Sequence, residues 1–367
     1  MAGGARIHGV APDPLTGRLF VTGANYSGEL GLNDYSSRSS PVQVGSATNW
    51  RLDRMLGRSA HARRSRRLFA VGGSNVRGQL GLGDNTDRNS PVQVGSFADW
   101  DSVTNGGTQS SGLNGFALGI RGGKLFAWGY NEYGQLGLAD VTMRSSPVQV
   151  GSETDWTVVS AGYSHALGIR SGKLYAWGRN FYGQLGLGNR VDRSSPVQVG
   201  AATDWTTLAA YETSYGIRGG KFYAWGRNLF GELPDGTRVG KSSPVQIGAA
   251  TDWSDVTSGV SYGLGLRGGK LYSWGYNEYG ELGHGNVSRL SSPVQVGAAT
   301  DWTVIAAGAE NSYSIRGGQL YAWGSNFSGQ LGLGDRVLRS SPVQVGAATD
   351  WLTVVAAASS AYGLRAP

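Results

Sequence analysis

The chain has 367 residues, of which 61 are glycine, none is cysteine and 40% are hydrophobic, and its formal net charge is +7. The lack of cysteine excludes disulfide bonds and thiolate metal sites, and no apolar run is long enough to span a membrane. Seven arginines lie between residues 51 and 67 beside one acid, Asp53, so this segment supplies almost all of the net charge. We therefore do not predict the generally basic surface that nucleic-acid binding needs.

One motif recurs seven times along the chain. In the copy Leu174–Pro196 it reads L-Y-A-W-G-R-N-F-Y-G-Q-L-G-L-G-N-R-V-D-R-S-S-P, and the copies begin at residues 19, 68, 125, 174, 222, 271 and 320. A fixed period near fifty residues indicates a repeat architecture, and seven is a usual blade number for a closed β-propeller. We predict an all-β fold, a single seven-bladed propeller domain over residues 1–367, in which residues 1–17 form an N-terminal extension.

Each repeat predicts four short antiparallel strands, which are clearest around the copy quoted above. Trp156–Gly162 is expected as the first strand, Ser164–Arg170 as the second and Leu174–Gly178 as the third. Ser171-Gly172 is a two-residue link of the hairpin type. Pro196–Gly200 is predicted as the fourth strand, at an outer edge where proline removes no ladder hydrogen bond.

The two ends of the chain each supply half a repeat. The chain begins with a third strand, Leu19–Gly23, and a fourth, Pro41–Gly45, and it ends with a first strand, Leu352–Ala357, and a second, Ala361–Arg365. We predict that these halves complete one blade, which closes the ring and removes the free sheet edges. Ala5–Leu15 is surplus, and we expect it either to cover the seam or to compete with the C-terminal strands.

The pattern W-G-x-N-x-x-G-Q-L-G-x-G-D followed by S-S-P-V-Q-V resembles the regulator of chromosome condensation repeat family, over the chain from Leu19 to Arg365. The resemblance implies a seven-bladed propeller whose first strands line a central channel. The nearly unvaried repeats look like bacterial or bacteriophage members of the family, so a virion component, a cell-surface component or a secreted inhibitor are sub-hypotheses. Because the N-terminal residues contain no signal-peptide run, we expect a cytoplasmic or virion-associated protein.

Two repeats depart from the pattern. The unit after Trp100 has extra residues around Thr108–Asn114, which predicts one longer loop. The unit after Trp50 keeps its length but loses its apolar strand residues to the arginine-rich segment 51–67. This fits a divergent blade, a compensated frameshift in the gene record or a functional basic patch. If the residues are genuine, we expect Asp53 and several of the arginines to face solvent, because an unpaired buried charge is costly.

Neither the tryptophans nor the histidines predict a chemical site. Tryptophans open the first strand and close the third in most repeats, and we interpret them as packing between blades. The alternative is light sensing, since a photoreceptor of the family carries G-W-R-H-T, but the matching stretch here, Gly162–Ala166, has no tryptophan. No metal, cofactor or catalytic residue is predicted, because the histidines occupy four different repeat positions. They are His8, His61, His165 and His284.

Two rings of opposite charge are expected at one end of the propeller. An arginine ends the second strand in six units, and an aspartate precedes the first-strand tryptophan in six. We interpret the rings as a salt-bridge belt of modest stability, and the alternative is an anion-binding face. The arginines are Arg121, Arg170, Arg218, Arg267, Arg316 and Arg365, and the aspartates are Asp99, Asp155, Asp204, Asp252, Asp301 and Asp350.

The repeats differ from one another at the opposite end. Variable, often aromatic residues follow a constant asparagine in each third-strand loop, and the turns between first and second strands vary at the same end. Such tips on a constant scaffold are typical of a binding face, since aromatic side chains anchor interfaces at low entropic cost. The alternative is that the rings only pack on neighbouring loops. The candidate partner-binding residues are Tyr26, Tyr133, Tyr163, Phe181, Tyr182, Tyr211, Phe230, Tyr279, Glu310 and Phe327.

These observations favour a non-enzymatic scaffold that binds a protein or a glycan through this face, without a cofactor. A structural role in an assembly is one alternative. The family resemblance adds guanine-nucleotide exchange on a small GTPase, which implies acidic and polar residues on one face and a wedge hairpin inserted into a blade. The sequence shows no inserted hairpin, since its longest insertion is the one around Thr108–Asn114.

Overall fold

A computed structural model describes residues 16–52, 59–107 and 114–367, and it confirms the predicted seven-bladed propeller. Within these ranges the chain forms 28 strands in seven four-stranded antiparallel sheets, and it has no helix. Six sheets follow the chain order, and the seventh joins the two ends of the chain. We number the blades 1 to 6 from the N-terminus and call the seventh the closing blade.

The first half of the chain forms a half-blade and then three complete blades. The half-blade consists of β1 (Arg18–Gly23) and β2 (Arg38–Gln43). Blade 1 contains β3 (Trp50–Arg51), β4 (Ser59–Arg64), β5 (Arg67–Gly73) and β6 (Val92–Gln93). Blade 2 contains β7 (Trp100–Gly106), β8 (Phe116–Arg121), β9 (Lys124–Gly129) and β10 (Arg144–Gln149). Blade 3 contains β11 (Trp156–Ala161), β12 (His165–Arg170), β13 (Lys173–Gly178) and β14 (Arg193–Gln198).

The second half of the chain repeats this order. Blade 4 contains β15 (Trp205–Ala210), β16 (Thr213–Arg218), β17 (Lys221–Gly226) and β18 (Lys241–Gln246). Blade 5 contains β19 (Trp253–Ser258), β20 (Tyr262–Arg267), β21 (Lys270–Gly275) and β22 (Leu290–Gln295). Blade 6 contains β23 (Trp302–Ala307), β24 (Asn311–Arg316), β25 (Gln319–Gly324) and β26 (Arg339–Gln344). The last two strands are β27 (Trp351–Ala356) and β28 (Ser360–Arg365).

The closing blade confirms the predicted joining of the chain ends. Its strand order is β2-β1-β28-β27, and β1 pairs with β28 in unbroken register from Arg18 opposite Arg365 to Gly23 opposite Ser360. Each end thus supplies two strands, and the edges of β1 and β28 that would be free in separate half-blades pair with each other. The role expected for Ala5–Leu15 falls outside the described residues.

The strand boundaries in blade 3 follow the sequence except at the outer edge. Both residues of the hairpin link have positive φ, 48° at Ser171 and 72° at Gly172, as a two-residue turn requires. The fourth strand begins at Arg193 and ends at Gln198, so the predicted start at Pro196 was wrong. A register irregularity between Ala176 and Gly178 lets Arg193 pair with Gly178, and the proline lies inside the edge strand, where its missing N–H breaks no ladder bond.

The tryptophans pack between blades, as predicted. Trp177 of blade 3 is fully buried, and its Nε1 donates a 2.9 Å hydrogen bond to the Gln135 carbonyl of blade 2. The Trp156 ring packs edge-to-face against Trp177 and Tyr175, with centroid distances of 5.9 and 5.4 Å. In blades 2 to 6 and the closing blade, successive first strands also contact each other around the axis. The described blades are thus held by apolar burial and by buried hydrogen bonds across each interface.

Blade 1 is the irregular blade. Its first and fourth strands have two residues each, and the β4–β5 register shifts between Ala60 and His61. Arg66 and Arg67 face solvent, as expected, whereas Arg63 is buried. The buried Arg63 is not left unpaired, since its Nη1 donates a 3.1 Å hydrogen bond to the Trp100 carbonyl. Asp53, Arg54, Arg58 and residues 108–113 of the longer loop lie outside the described residues.

Truncation after Ala347 tests the closure of the ring. The deletion removes β27 and β28, so β1 loses its partner strand and Phe20 loses the Trp351 ring, which lies 5.7 Å away. We expect a lower melting temperature and aggregation through the exposed strand edges, measured by calorimetry and size-exclusion chromatography. A chain that lacks only the exposed Pro367 serves as the control. A soluble truncated monomer with an unchanged melting temperature contradicts closure.

Candidate functional site

A buried asparagine supports each third-strand loop. In all seven copies its Oδ1 accepts the backbone N–H of a leucine five residues later, at 2.9 to 3.0 Å. In blade 2, Asn131 Nδ2 also donates to the Asp140 carbonyl at 3.1 Å, and Arg144 at the start of β10 holds the Asp140 carboxylate at 2.6 Å. These bonds fix the loop from below and leave the two residues after the asparagine at its tip.

The tips present aromatic rings to solvent. Tyr26, Phe181 and Phe327 directly follow the asparagine and are 62%, 59% and 59% exposed. We call the end of the propeller that carries these three rings the aromatic face. The second tip position holds Tyr133, Tyr182, Phe230 and Tyr279, which are half-buried. Seven of the ten candidate residues therefore lie on the third-strand loops of one face.

The other three candidates lie in the turns between first and second strands. Tyr163 and Glu310 are half-buried, but Tyr211 is buried. The ring of Tyr163 packs edge-to-face on Tyr211 at 5.7 Å. The turn of blade 4 is one residue shorter than that of blade 3, which draws Tyr211 inward. Tyr211 thus supports Tyr163 from beneath and does not itself form a tip.

Three arginines that the sequence did not single out lie between the aromatic tips. The guanidinium of Arg179 lies 5.0 Å from the Tyr133 ring and 5.6 Å from the Phe181 ring. That of Arg227 lies 5.8 Å from Tyr182 and 5.3 Å from Phe230. Arg289 continues the series, at 4.9 Å from Phe230 and 4.7 Å from Tyr276.

These contacts join blades 2 to 5 by alternating rings and guanidinium groups, which attract one another through the ring quadrupole. The series continues where Tyr279 packs on Phe327 at 5.6 Å, and Tyr26 Oη lies 3.4 Å from Ser328 Oγ. The rings therefore do pack on neighbouring loops, and their outer surfaces also remain exposed.

The carboxylates of the aromatic face differ in whether a cation lies beside them. Arg227 is paired with Glu212, and its Nε lies 3.6 Å from Glu232 Oε1. On blades 5 and 6, Glu278, Glu281 and Glu310 have no such cation among the ion pairs of the described residues. Burial raises the pKa of Glu281 to about 7, and the neighbouring Glu310 and Glu278 carboxylates raise it as well. Burial also raises the pKa of Glu310, with Glu278 as the next cause.

The repeats of this propeller match a known protein family. A model of the regulator of chromosome condensation (RCC1) repeat matches residues 122–169, 171–210, 268–315 and 317–362, and a second RCC1 repeat model matches residues 156–184. These segments of the chain are RCC1 repeats. A search of curated proteins finds no match.

Solved structures with RCC1-type propellers are similar in fold. Human WBSCR16 superposes with a TM-score of 0.81 at 20% identity, over 96% of this chain and 99% of that one. Prp20p from Saccharomyces cerevisiae, described with its binding to Gsp1p and histones, gives 0.79 at 19% identity over 98% and 93%. The yeast RCC1 (Prp20) bound to Kap60 gives 0.80 at 16% identity over 100% and 94%. At these identities the likeness shows the fold alone.

The other end of this RCC1-repeat propeller carries the predicted salt-bridge belt. All six arginine–aspartate pairs form, with nitrogen–oxygen distances from 2.7 to 3.9 Å. Most of the arginines also stack on rings of their own blade, as Arg170 does on Trp156 and Tyr175. In blade 1 the pair is replaced by Arg64 and Asn49, whose side chains are 3.2 Å apart. Because these arginines are engaged, an anion-binding face is not favoured at this end.

Two of the histidines are enclosed by the propeller. His61 and His165 are buried, and burial lowers their pKa values to about 4 and about 3. His165 Nε2 contacts Ser214 Oγ at 2.9 Å across the interface between blades 3 and 4. Among the described residues, no three His, Cys, Asp or Glu side chains are grouped to hold a metal ion. The same ranges contain no helix that is long and apolar enough to cross a membrane.

Glu281→Gln is expected to stabilise the protein at high pH. The folded pKa of about 7 lies above the ordinary 4.5, so the folded state alone holds the proton between these values and stability falls as pH rises. The glutamine does not titrate, so the variant avoids this loss. Its free energy of unfolding should exceed that of the wild type by on the order of 3 kcal/mol at pH 8 and by little at pH 5. Denaturant unfolding at both pH values measures it. Gln184→Glu, at the equivalent position of blade 3, is the reverse control, and an equal effect of E281Q at both pH values contradicts the prediction.

His165→Asn is expected to weaken the loss of stability in acid. The folded pKa of about 3 lies below the ordinary 6.5, so the unfolded state takes up a proton first and stability falls as pH drops through this window. In the variant, the slope of the free energy of unfolding against pH should be smaller by about 1.4 kcal/mol per pH unit in this window. Asn311 occupies the equivalent position of blade 6, so the side chain has a precedent in the fold. Unfolding at pH 4.5 and 7 tests this, and parallel curves for wild type and variant contradict it.

Proposed function

We propose that this chain is a non-enzymatic binding scaffold that recognises a protein partner through the aromatic face. The observation that carries the proposal is the exposure of Tyr26, Phe181 and Phe327 on loops that buried asparagines hold rigid. Rigid loops reduce the entropy lost on binding, and exposed aromatic rings supply contact area with few rotatable bonds.

The chemistry of the aromatic face favours a protein over a glycan. Guanidinium groups and carboxylates alternate with the rings within one surface, and mixed charges of this kind give specificity for a complementary protein surface. The solved relatives add support of a general kind, since the described yeast propellers bind proteins, namely Gsp1p, histones and Kap60. A glycan ligand becomes one outcome of the experiment below.

Guanine-nucleotide exchange on a small GTPase is the second candidate. Its support is the set of carboxylates on the aromatic face, Glu212, Glu278 and Glu310, together with the similarity in fold to Prp20p. The insertion around Thr108–Asn114 lies almost wholly outside the described residues. If a GTPase is captured, the release of a labelled guanine nucleotide from it measures exchange directly.

A bacterial or bacteriophage origin and a virion or cell-surface location stay proposals. They rest on the regularity of the repeats, which carry S-S-P-V-Q almost without change. The structurally similar proteins described above come from human and yeast. A structural role in an assembly is the remaining alternative, and the stoichiometry of the chain in its native particle would identify it.

Replacement of Phe181, Tyr182, Phe230 and Tyr279 by serine tests the binding face. The rings lie at loop tips above the asparagine bonds, so we expect the fold to be retained and partner capture to fall at least tenfold, as for loss of interface hot spots. Capture from the source organism's lysate and particle fraction, read by mass spectrometry, measures the effect. Thermal unfolding confirms that the variant is folded.

The matched control is Phe97→Ser, which removes an exposed ring from the belt end. Phe97 is 48% exposed and stacks on Arg121, so its loss changes exposed aromatic area without touching the aromatic face. Partner capture should be unaffected. Full capture by the four-residue serine variant would place binding elsewhere, and binding of glycan probes without any protein partner would replace the protein proposal.

A further inference from the structure

Blade 4 contains a complete cage for a guanidinium group. Arg227 lies between the rings of Tyr182 and Phe230, is paired with Glu212, and has Glu232 beneath it. The rings attract the cation through their quadrupoles, Glu212 accepts a hydrogen bond from Nη1 of Arg227, and Glu232 places a carboxylate 3.6 Å from its Nε. The chain thus shows what this arrangement of loops binds, because in blade 4 it supplies the ligand itself.

Blade 6 repeats part of this cage without its arginine. The backbone N–H of Arg227 donates to the Glu212 carbonyl, and in the same way the N–H of Ser325 donates to the Glu310 carbonyl. Ser325 therefore occupies the place of Arg227, and Glu310 that of Glu212. Tyr279 takes the place of Tyr182 on the preceding loop, as Tyr133 does beside Arg179 in blade 3.

The other walls differ from those of blade 4, because Ser328 stands at the position of Phe230 and Gln330 at that of Glu232. Phe327 follows Asn326 at the loop tip and packs on Tyr279 at 5.6 Å. Glu278 lies next to Tyr279 in sequence and raises the pKa of Glu310. We call the set of Glu278, Tyr279, Glu281, Glu310 and Phe327 the blade 6 cage. It holds three carboxylates where the blade 4 cage holds two, and it contains no arginine.

Glu281 provides an independent indication that a cation is missing. Its side chain is fully buried, its Oε2 accepts the Tyr279 N–H at 2.9 Å, and its Oε1 has no hydrogen-bond partner. At the same repeat position of blade 4, Glu232 Oε1 likewise accepts no hydrogen bond, but it has Arg227 Nε within 3.6 Å. In blade 5 the residue that corresponds to Arg227 is Tyr276, whose hydroxyl bonds to Glu278. The buried carboxylate is thus left without the cation that its counterpart has.

We propose that the blade 6 cage binds an arginine side chain of the partner, which takes the place that Arg227 fills in blade 4. This inference rests on the proposed function and names the partner chemistry at that face. The partner's guanidinium stacks on Tyr279 and Phe327 and donates hydrogen bonds to Glu310 and Glu278, while Glu281 beneath contributes its charge. Arginine is favoured over lysine because only its planar, forked head satisfies the rings and two carboxylates together.

A titration with short peptides tests the cage without the natural partner. The probes are acetyl-Gly-Arg-Gly amide and the same peptide with citrulline, which keeps the shape of arginine and lacks its charge. We expect the arginine peptide to shift the NMR signals of Tyr279, Glu310 and Phe327, and the citrulline peptide to bind at least about tenfold more weakly, because charge-assisted hydrogen bonds are lost. Equal binding of both peptides overturns the proposal.

Ser325→Arg is the matched variant, because it fills the cage from within, as in blade 4. It should abolish the response to the arginine peptide and melt at a higher temperature than Ser325→Met, which adds a chain of similar length without charge. An unchanged peptide response in a folded Ser325→Arg protein overturns the proposal. The double variant Glu278→Gln, Glu310→Gln keeps the backbone and the rings and should lose the response as well, so the test does not depend on one substitution.

The outcomes separate this inference from the proposed function. The peptide titration reports on the cage alone and needs no captured protein. If a partner is captured through the aromatic tips but binds equally well to the Glu278→Gln, Glu310→Gln variant, the cage proposal fails and the binding face stands. If the peptides behave as expected and no partner is captured, the cage stands and the proposed function fails.

Discussion

The pairing of β1 with β28 is the contact on which the rest of the molecule depends. Each blade is a small sheet that cannot bury its own faces, and it is stabilised by the blades on either side. Trp177, for example, is buried and hydrogen-bonded only because blade 2 presents Gln135 to it. In an open arc the two end blades would each lack one such neighbour. The six-residue register between the chain ends supplies both missing interfaces at once.

The two ends of the propeller use their repeats in opposite ways. At the belt end the same arginine and aspartate recur, so each charge is compensated within its own blade. At the aromatic face the constant asparagines and leucines lie below the surface, and the residues above them differ from blade to blade. One scaffold therefore carries a uniform end and an end whose tip residues differ from blade to blade. This division lets the tips vary without cost to the closure of the ring.

The sequence predicted the architecture well because its main signals are periodic. The blade number, the closing blade and all six belt pairs follow from residues that recur at fixed offsets. The fourth strand of blade 3 was predicted to begin at Pro196, three residues after its actual start at Arg193. Proline is a clear sequence signal for an edge strand, whereas the pairing of Arg193 depends on a local register shift. Tyr211 was expected at a tip, yet a turn one residue shorter than that of blade 3 draws the ring into the interior.

The arginines of the aromatic face show the limit of that reasoning. Arg179 and Arg227 occupy a position that holds Ala24, Ser74 or Tyr130 in other repeats, so the position looks unspecified in sequence. The arginines at this position contact rings of the neighbouring blade. Those rings lie about fifty residues away along the chain and are adjacent only after folding. Contacts of this kind depend on combinations of residues across repeats, and periodicity does not reveal them.

The closing blade also affects how these molecules fold when other copies of the chain are present. The strand β28 is nearly a copy of the second strands of the other blades, and the half-blade formed by β1 and β2 fits any molecule whose own closing blade is still open. The same six-residue register can then form between two chains, which produces domain-swapped dimers or longer chains of molecules. The outcome depends on the effective concentration of the two ends of one chain compared with the concentration of its neighbours. Dilution during refolding therefore favours the closed monomer.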